Sequence, residues 1–168
     1  MAFDAFLKME GIQGESRDEK HKEWTEMLHF NVSHNQRAAV SSSSHGSKSA
    51  ERADFSEFSF TKALDKSTPH LAFACASGQH FSKATIEICR AGGTSKQTFM
   101  RYTLQDVMVT NYSVNGVGGG GDGESIPTEN IQLSYGKIEW VYIPTDQTTG
   151  QAKGSISKGW DLTQNKAA

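Results

Sequence analysis

Six histidines and two cysteines are the side chains in this 168-residue sequence best suited to hold a metal or to catalyse a reaction. The histidines show neither the H-E-x-x-H spacing of a metalloprotease nor a paired-cysteine spacing. We therefore expect no metal site and interpret all six as surface or loop residues: His21, His29, His34, His45, His70 and His80. Cys75 and Cys89 could pair if they are neighbours in space, but two small core residues with reduced thiols are the expectation for a cytosolic fold.

The serines, carboxylates and glycines show no catalytic pattern either. No G-x-S-x-G nucleophile elbow occurs, and nothing in the sequence places Asp65 and Asp106 at the separation that paired carboxylates need for hydrolysis. The glycine-rich run at residues 116–125 has Asp122 and Glu124 where a P-loop has lysine and serine or threonine, and acidic groups repel a phosphate. We expect neither enzyme activity nor a cofactor.

Composition favours one domain covering residues 1–168, since this length is enough to bury a sizeable core. A net charge of −2 and a sequence pI near 6.3 give no general attraction to nucleic acid. No segment approaches the roughly 20 apolar residues of a membrane span, so we expect no membrane insertion. The first residues, MAFDAFLKMEG, lack the apolar region of a signal peptide, and we expect synthesis in the cytosol.

Residues 60–78 contain the predicted helix. Ser67 or Thr68 can accept a backbone N–H as the N-cap, and Pro69 fits the first turn, where its missing donor costs nothing. Gly78 can adopt the left-handed conformation that ends a helix.

The predicted helix is apolar nearly all round, from Leu71 to Ala76. Such a helix is usually covered on more than one side. We expect Leu71, Ala74 and Cys75 to face the body of the protein and Phe73 to contact a second surface, such as another subunit.

Alternation of apolar and polar residues predicts a half-buried strand at residues 24–32. Leu28, Phe30 and Val32 form its predicted core side. The opposite side then carries His29, Asn31 and Ser33. We expect this polar side to point away from the core.

Similar patterns predict the remaining strands, at residues 2–9, 53–60, 81–91, 98–114, 128–143 and 158–165. A bulge is expected at Asp106, a bend near Gly136, and Trp160 as the anchor of the last strand. Residues 36–52 are polar and without periodicity, which predicts a long projecting loop. The expected fold is mainly β, an antiparallel two-sheet β-barrel with one covering α-helix.

Several phrases of the sequence resemble the Hcp (haemolysin-coregulated protein) family, whose members form the tube of the bacterial type VI secretion system. The phrases are FSFTKALDKSTPHLAFACASGQHF, IEICRAGG, TENIQLSYGKIEWVY and KGWDLTQN. The resemblance starts at MAFDAFLKMEGIQGES and reaches the C-terminus, and its most specific parts are FTKALDKSTP and the GWD near the end.

This resemblance implies a homo-hexameric ring that stacks into a hollow tube, with a contractile sheath around it, a spike protein at its tip and small effectors in its lumen. The tube is assembled in the bacterial cytoplasm and then secreted. In such a tube, His29, Asn31 and Ser33 are candidates for the lumen wall and Phe73 for the contact between subunits. The ring-stacking candidates are Val40, Ser41, Ser42, Ser43, Ser44, His45, Gly46, Ser47 and Lys48.

Two other classes of function remain open from the residues alone. One is a stand-alone ligand-binding β-barrel module that does not assemble into a tube. The other is an enzyme that uses a serine or histidine without a recognisable motif. A closed ring with a central hole would distinguish the tube subunit from both.

Overall fold

The structure is a computed structural model that describes residues 3–39, 49–50, 52–90, 96–116, 126–146 and 152–168. Within that part of the chain there are fourteen strands and one helix. They are β1 (Phe3–Met9), β2 (Thr25–Met27), β3 (His29–Asn31), β4 (His34–Asn35), β5 (Ala38–Ala39), β6 (Ser49–Ala50), β7 (Asp54–Phe55), β8 (Phe58–Ala63), α1 (Thr68–Ser77), β9 (His80–Arg90), β10 (Gln97–Asn115), β11 (Thr128–Ser134), β12 (Lys137–Tyr142), β13 (Ile156–Asp161) and β14 (Lys166–Ala167).

Ten of these strands form one antiparallel sheet. Its main order is β14-β13-β12-β10-β11-β8-β3, while β9 joins β10 to β1 and β1 pairs with β2. The mainly antiparallel β fold with a covering helix is therefore confirmed. The sheet is not closed, because β2 pairs with β1 and β3 pairs with β8, and Leu28 separates the two strands. The amide of Leu28 donates to the carbonyl oxygen of Thr61 at 2.8 Å.

The strand predicted at residues 24–32 is interrupted, and the prediction that Leu28 belongs to the core is wrong. Pairing with β1 buries Thr25 and Met27, which are 3% and 7% exposed, whereas Leu28 is 63% exposed. The bend at Leu28 resets the alternation, so Phe30 turns back towards the core and packs against it. A period-two pattern assumes a continuous strand, and a bend breaks that assumption.

Strand β10 is the longest, with 19 residues, and changes its neighbour partway along. One edge pairs with β9, and the other pairs first with β12, as far as Gln105, and then with β11. Asp106 lies at the change with φ +53°, and the amide of Gly136 donates to the carbonyl oxygens of Gln105 and Asp106 at 2.9 and 3.2 Å. The predicted bend near Gly136 is confirmed. The predicted bulge is misplaced, because the register shifts lie at Phe99 and Thr110.

Helix α1 packs against β10. Leu71 and Ala74 are buried, and Cys75 is half-buried against the core, as expected. Gly78 ends the helix with φ +67°, and its amide donates to the carbonyl oxygen of Ala74.

The N-terminus of α1 is held differently from the prediction. Ser67 occupies the N-cap position, but its side chain accepts no helix amide. Its hydroxyl donates instead to Asp65 Oδ1 at 2.5 Å, while Thr68 Oγ1 accepts the amide of Asp65 at 3.0 Å. The turn before the helix, rather than the first helical turn, therefore uses these hydroxyls.

The core lies between the inner face of the sheet and α1. Its buried members are apolar and come from every long strand except β13. They are Ala5, Leu7, Met9, Met27, Phe58, Phe60, Leu71, Ala74, Phe81, Ala84, Ile86, Leu104, Val107, Val109, Ile131, Leu133, Tyr135 and Ile138.

A second buried layer lies on the outer face of β1 and β9, beneath the segment between Gly14 and Trp24. The amide of Gly14 donates to the carbonyl oxygen of Glu23 at 2.8 Å. A Cβ at Gly14 would lie 2.4 Å from the Trp24 carbonyl oxygen, so only glycine allows this approach. His21 is buried beneath this segment, with 1% of its surface exposed.

The predicted loop at residues 36–52 begins and ends in paired backbone. His34 and Asn35 pair with Phe55 and Asp54, and the next ladder joins β5 to β6. The polar segment is therefore carried on two short antiparallel ladders. Residues 40–48, the predicted ring-stacking positions, lie outside the described part of the chain.

Candidate functional surfaces and buried polar clusters

Four neighbouring strands present uncharged polar side chains on the side of the sheet opposite the core. In one row of backbone partners, His29 lies opposite Thr61, Thr61 opposite Asn130, and Asn130 opposite Ser113. The next row joins β3, β8, β11 and β10 through Asn31, Ser59, Gln132 and Asn111. We call these eight residues the polar face.

The polar face follows from period-two alternation in strands whose other side is apolar. In β8, for example, Phe58 and Phe60 are buried while Ser59 and Thr61 between them are partly exposed. Residues of both rows line a shallow depression of about 310 Å³. The Thr61 hydroxyl donates to Asn130 Oδ1 at 2.6 Å. The surface offers hydrogen-bond donors and acceptors without a fixed charge.

Two of the three predicted lumen residues, His29 and Asn31, thus belong to this polar face, and both are exposed. Ser33 is also exposed but lies beyond the end of β3. Its amide donates to Ser56 Oγ at 2.8 Å. The sequence alternation identified one strand of the face and missed the six residues that other strands contribute.

Phe73 points away from the core and is 66% exposed, the largest exposed fraction among the large hydrophobic residues with described side chains. Its neighbours along α1, Leu71 and Ala74, are buried. Exposing an aromatic ring to water is unfavourable by a few kcal/mol relative to burying it, so the ring is available for a contact between molecules. Other large exposed apolar residues are Phe3, Leu28, Val114, Ile126, Tyr142 and Ile156.

Leu28 and Ile126 line the same depression, of about 380 Å³. Charged residues, among them Arg17 and Glu26, surround them. An apolar centre with a charged rim is the usual composition of a protein contact surface.

A buried ion-pair cluster connects the sheet to the start of α1. Lys62 Nζ lies 2.5 Å from Glu129 Oε1 and 2.7 Å from Asp65 Oδ1. Thr68 donates to Glu129 Oε1 at 3.1 Å, and Tyr112 donates to Glu129 Oε2 at 3.0 Å. Burial, reinforced by the Glu129 carboxylate, raises the pKa of Tyr112 to about 12.

A second cluster lies under the Gly14–Trp24 segment and centres on His21. The imidazole stacks on Phe6 with 4.2 Å between ring centroids and meets Trp24 edge-on at 4.9 Å. Nδ1 lies 2.6 Å from Asp18 Oδ1, and Nε2 lies 2.9 Å from Glu87 Oε2.

Cys89 and Thr98 complete the His21 cluster. Cys89 Sγ lies 3.8 Å from His21 Nε2 and 3.4 Å from Thr98 Oγ1. Thr98 donates to Glu87 Oε2 at 2.8 Å, and Arg101 Nε donates to Glu87 Oε1 at 2.7 Å. No buried side-chain nitrogen or oxygen atom in the described part of the chain lacks a hydrogen-bond partner, and those of this cluster are included.

The surroundings lower the pKa values of the two carboxyl groups in this cluster and raise the pKa of the thiol. Burial alone raises the pKa of Asp18, but hydrogen bonds from His21 and Lys96 outweigh it and lower that pKa to about 2. For Glu87, too, burial is outweighed by hydrogen bonds, first from His21, so its pKa is lowered. Burial raises the pKa of the Cys89 thiol. Ionised carboxylates therefore surround a neutral thiol.

The interpretation of all histidines as surface or loop residues is wrong for His21. His29, His34, His70 and His80 are exposed, and His45 lies outside the described residues. The sequence contained part of the signal: Glu87 and Cys89 are two residues apart on a strand, which places both on one face. Nothing in its local pattern indicates that the charged segment around His21 folds over that face.

Cys75 and Cys89 are both free, as expected of reduced thiols. No helix in the described part of the chain is long and apolar enough to cross a membrane.

The fold is that of a mainly antiparallel β protein with one covering helix, a polar outer face and exposed apolar residues. The model of the family described as "Type VI secretion system effector, Hcp" matches residues 6–142. Protein hcp1 of Pseudomonas aeruginosa is 35% identical over 168 residues, covering 100% of both chains. The chain belongs to the Hcp family of type VI secretion proteins.

Solved structures agree with this assignment. A type six secretion system protein superimposes with a TM-score of 0.90 at 36% identity, covering 99% of this chain and 100% of the other. Hcp1 from Salmonella typhimurium gives a TM-score of 0.78 at 28% identity and covers both chains completely. The family consists of secreted structural tube proteins and is not known for catalysis.

Proposed function

We propose that this chain is the tube subunit of a type VI secretion system. Six copies form a closed ring, rings stack into a hollow tube, and the lumen carries small effectors. The observation that carries this proposal, beside family membership, is the polar face: eight uncharged side chains in two rows across four strands. We assign this face to the lumen.

An uncharged polar wall suits a channel that must hold varied cargo and release it. Each hydrogen bond from a cargo molecule to a side chain of this face is weak individually in water. A ring repeats each of them once per subunit, so several weak contacts act together on one cargo molecule. A wall of fixed charge would instead favour cargo of the opposite sign and repel the rest.

The contact between subunits is assigned to Phe73 and the apolar residues exposed with it. A ring needs a heterologous contact, in which one patch meets a different patch on the next copy. Phe73, on α1, and the Leu28–Ile126 depression provide two distinct apolar surfaces. Burying an exposed phenylalanine stabilises such a contact by about 1.5–3 kcal/mol.

The segment at residues 40–48 is assigned to the contact between stacked rings. The flanking residues of this segment pair in the ladders β4–β7 and β5–β6, which form two small sheets separate from the ten-stranded sheet. Its serine-rich composition supplies many hydrogen-bonding groups, which can offset the entropy lost when a polar segment becomes ordered on contact.

The remaining partners follow from the same proposal. The spike protein contacts the end of the tube, the contractile sheath surrounds it, and the tube leaves the cytoplasm with its effectors. The chain acts as a structural component without a cofactor, and residues 1–168 form one domain.

Native mass spectrometry combined with negative-stain electron microscopy tests the proposal. We expect a hexameric mass at micromolar concentration and rings with a central hole. Monomers and isolated globules in both measurements would instead favour a stand-alone ligand-binding module.

A further inference from the structure

We propose that His21, Glu87 and Cys89 form a binding site for one divalent metal ion of the zinc type. One ligand atom of each residue, an imidazole nitrogen, a carboxylate oxygen and the thiol sulfur, lies within 4.8 Å of the other two. His21 Nε2 is 2.9 Å from Glu87 Oε2 and 3.8 Å from Cys89 Sγ. Tetrahedral zinc separates a nitrogen and a sulfur ligand by about 3.6 Å, so only small side-chain adjustments are needed.

The groups around the three ligands are arranged as supports for such a site. Asp18 Oδ1 lies 2.6 Å from His21 Nδ1 and leaves Nε2 directed at Glu87 and Cys89. A carboxylate on the second nitrogen is the usual partner of a metal-binding histidine. Arg101 binds Oε1 of Glu87, which leaves Oε2 on the side of the imidazole and the thiol.

Metal binding displaces protons from the ligands. The ion binds Cys89 as the thiolate, so the proton on Sγ leaves to solvent when the ion enters. Nε2 of His21 binds the ion through its lone pair.

The ligand set also selects the class of metal. One thiolate with one imidazole and one carboxylate suits Zn²⁺ and its substitute Co²⁺, whereas Ca²⁺ and Mg²⁺ prefer oxygen ligands alone. Three protein ligands leave the fourth position of a tetrahedral ion to water. The side chains of Asp18 and Glu87 are 10% and 12% exposed, so solvent reaches the cluster from one side.

The test is a Co²⁺ titration of the reduced 168-residue protein after removal of metal by a chelator. We expect a thiolate-to-Co²⁺ charge-transfer absorption that saturates at one equivalent, and we expect Zn²⁺ to displace it. Added Zn²⁺ should also raise the unfolding temperature, because a ligand that binds the native state stabilises it. Cys89→Ser should abolish the absorption, while Cys75→Ser, which removes the other thiol, should retain it.

Two further variants test other residues of the site, and they keep the proposal testable if Cys89→Ser does not fold. Asp18→Asn should keep the absorption but weaken Co²⁺ binding about 10–100-fold. Glu87→Gln should also weaken binding, since it removes an anionic ligand. No absorption, a band that persists in Cys89→Ser, or unchanged affinity in Glu87→Gln would overturn the proposal in favour of a purely hydrogen-bonded cluster. Each readout reports the ion alone and is independent of ring formation.

Discussion

The ammonium nitrogen of Lys62 lies 2.5 Å from Oε1 of Glu129, and neither side chain has any exposed surface. Asp65 adds a second carboxylate 2.7 Å from the same nitrogen. Lys62 lies on β8, Glu129 lies on β11, and Asp65 lies in the turn that precedes α1. The three charged groups therefore connect two strands of the sheet to the start of the helix. Two opposite charges can be buried together at tolerable cost, whereas one left alone cannot.

We expect Lys62→Met to reduce the free energy of unfolding by about 3–5 kcal/mol, because it leaves the Glu129 carboxylate buried without its cation. The double variant Lys62→Met, Glu129→Leu should be more stable than Lys62→Met alone, since it removes both charges. Urea unfolding followed by circular dichroism measures both. Equal stability of the single variant and the wild type would contradict the assignment of this pair as buried.

Tyr112 should make the protein less stable at high pH. An unfolded chain releases tyrosine protons near pH 10, whereas native Tyr112, with its pKa raised to about 12, keeps its proton. Its contribution is therefore complete below pH 10 and is lost as pH rises to about 12. Tyr112→Phe should show a shallower decline in unfolding free energy across this range.

Tyr135 supplies an independent check, because burial raises its pKa to about 12 as well. Its hydroxyl donates to the carbonyl oxygen of Ser56 at 2.8 Å, on another part of the sheet. Tyr135→Phe should also make the unfolding free energy fall less steeply between about pH 10 and pH 12. The variant with both substitutions should show the smallest fall. If the unfolding free energy of Tyr112→Phe fell with pH as steeply as that of the wild type, the predicted contribution of Tyr112 would be contradicted.

Phe73→Asp should prevent ring formation while the monomer remains folded. The side chain is 66% exposed in one copy, so the charge costs little there, but it costs several kcal/mol when desolvated in an apolar contact. Native mass spectrometry measures the hexamer, and circular dichroism measures the fold. Phe73→Leu is the matched control and should retain rings; intact rings from Phe73→Asp would place the contact elsewhere.

Removing residues 40–48 should leave single rings but abolish tubes. The pairing of Ala38 with Ala50 allows a precise design in which Ala39 is joined to Ser49 by an Asn-Gly turn, so both ladders are kept. Electron microscopy counts tubes and rings. A control variant replaces residues 40–48 with a glycine-serine segment of the same length, which separates the effect of sequence from that of length. Unchanged tube formation after the deletion would refute the stacking role.

Asn31→Glu should place a circle of like charges on the proposed lumen wall. Rings should still form, because Asn31 lies on the polar face and away from Phe73. Recovery of acidic cargo with purified rings should fall because a ring of negative charge repels it, and neutral cargo should bind less because the amide donor of Asn31 is lost. Gln13→Glu, on the exposed segment after β1, adds the same charge elsewhere and should leave recovery unchanged. Equal recovery with Asn31→Glu and the wild type would exclude this face as the cargo surface.

The sequence predicted elements whose signals are local. Gly78 marked the end of α1 correctly because a left-handed residue is a property of one position. The period-two pattern of β11 was correct because this strand runs beside β8 without a register shift and next to the core. The same reasoning found His29 and Asn31, which alternate with Phe30 on one short strand.

The failures come from contacts between distant parts of the chain. Leu28 is exposed because its neighbours pair with two different strands, which no local pattern shows. His21 is buried because a polar segment folds over β1 and β9, and its partner Glu87 is far along the sequence. Lys62 is buried beside Glu129, which comes from another strand, and the local sequence around Lys62 does not indicate this pairing.

The length and position of β10 also have a consequence for the kinetics of folding. This strand pairs with β9, β11 and β12, yet β1 must find β9 and β8 must find β11 across long stretches of chain. Such non-local pairings require loop-closure entropy to be lost before they gain contacts, which places folding in the range of milliseconds to seconds. We expect β10 to pair with its sequence neighbours first and β1 to pair with β9 later, because that pairing spans the longer stretch of chain.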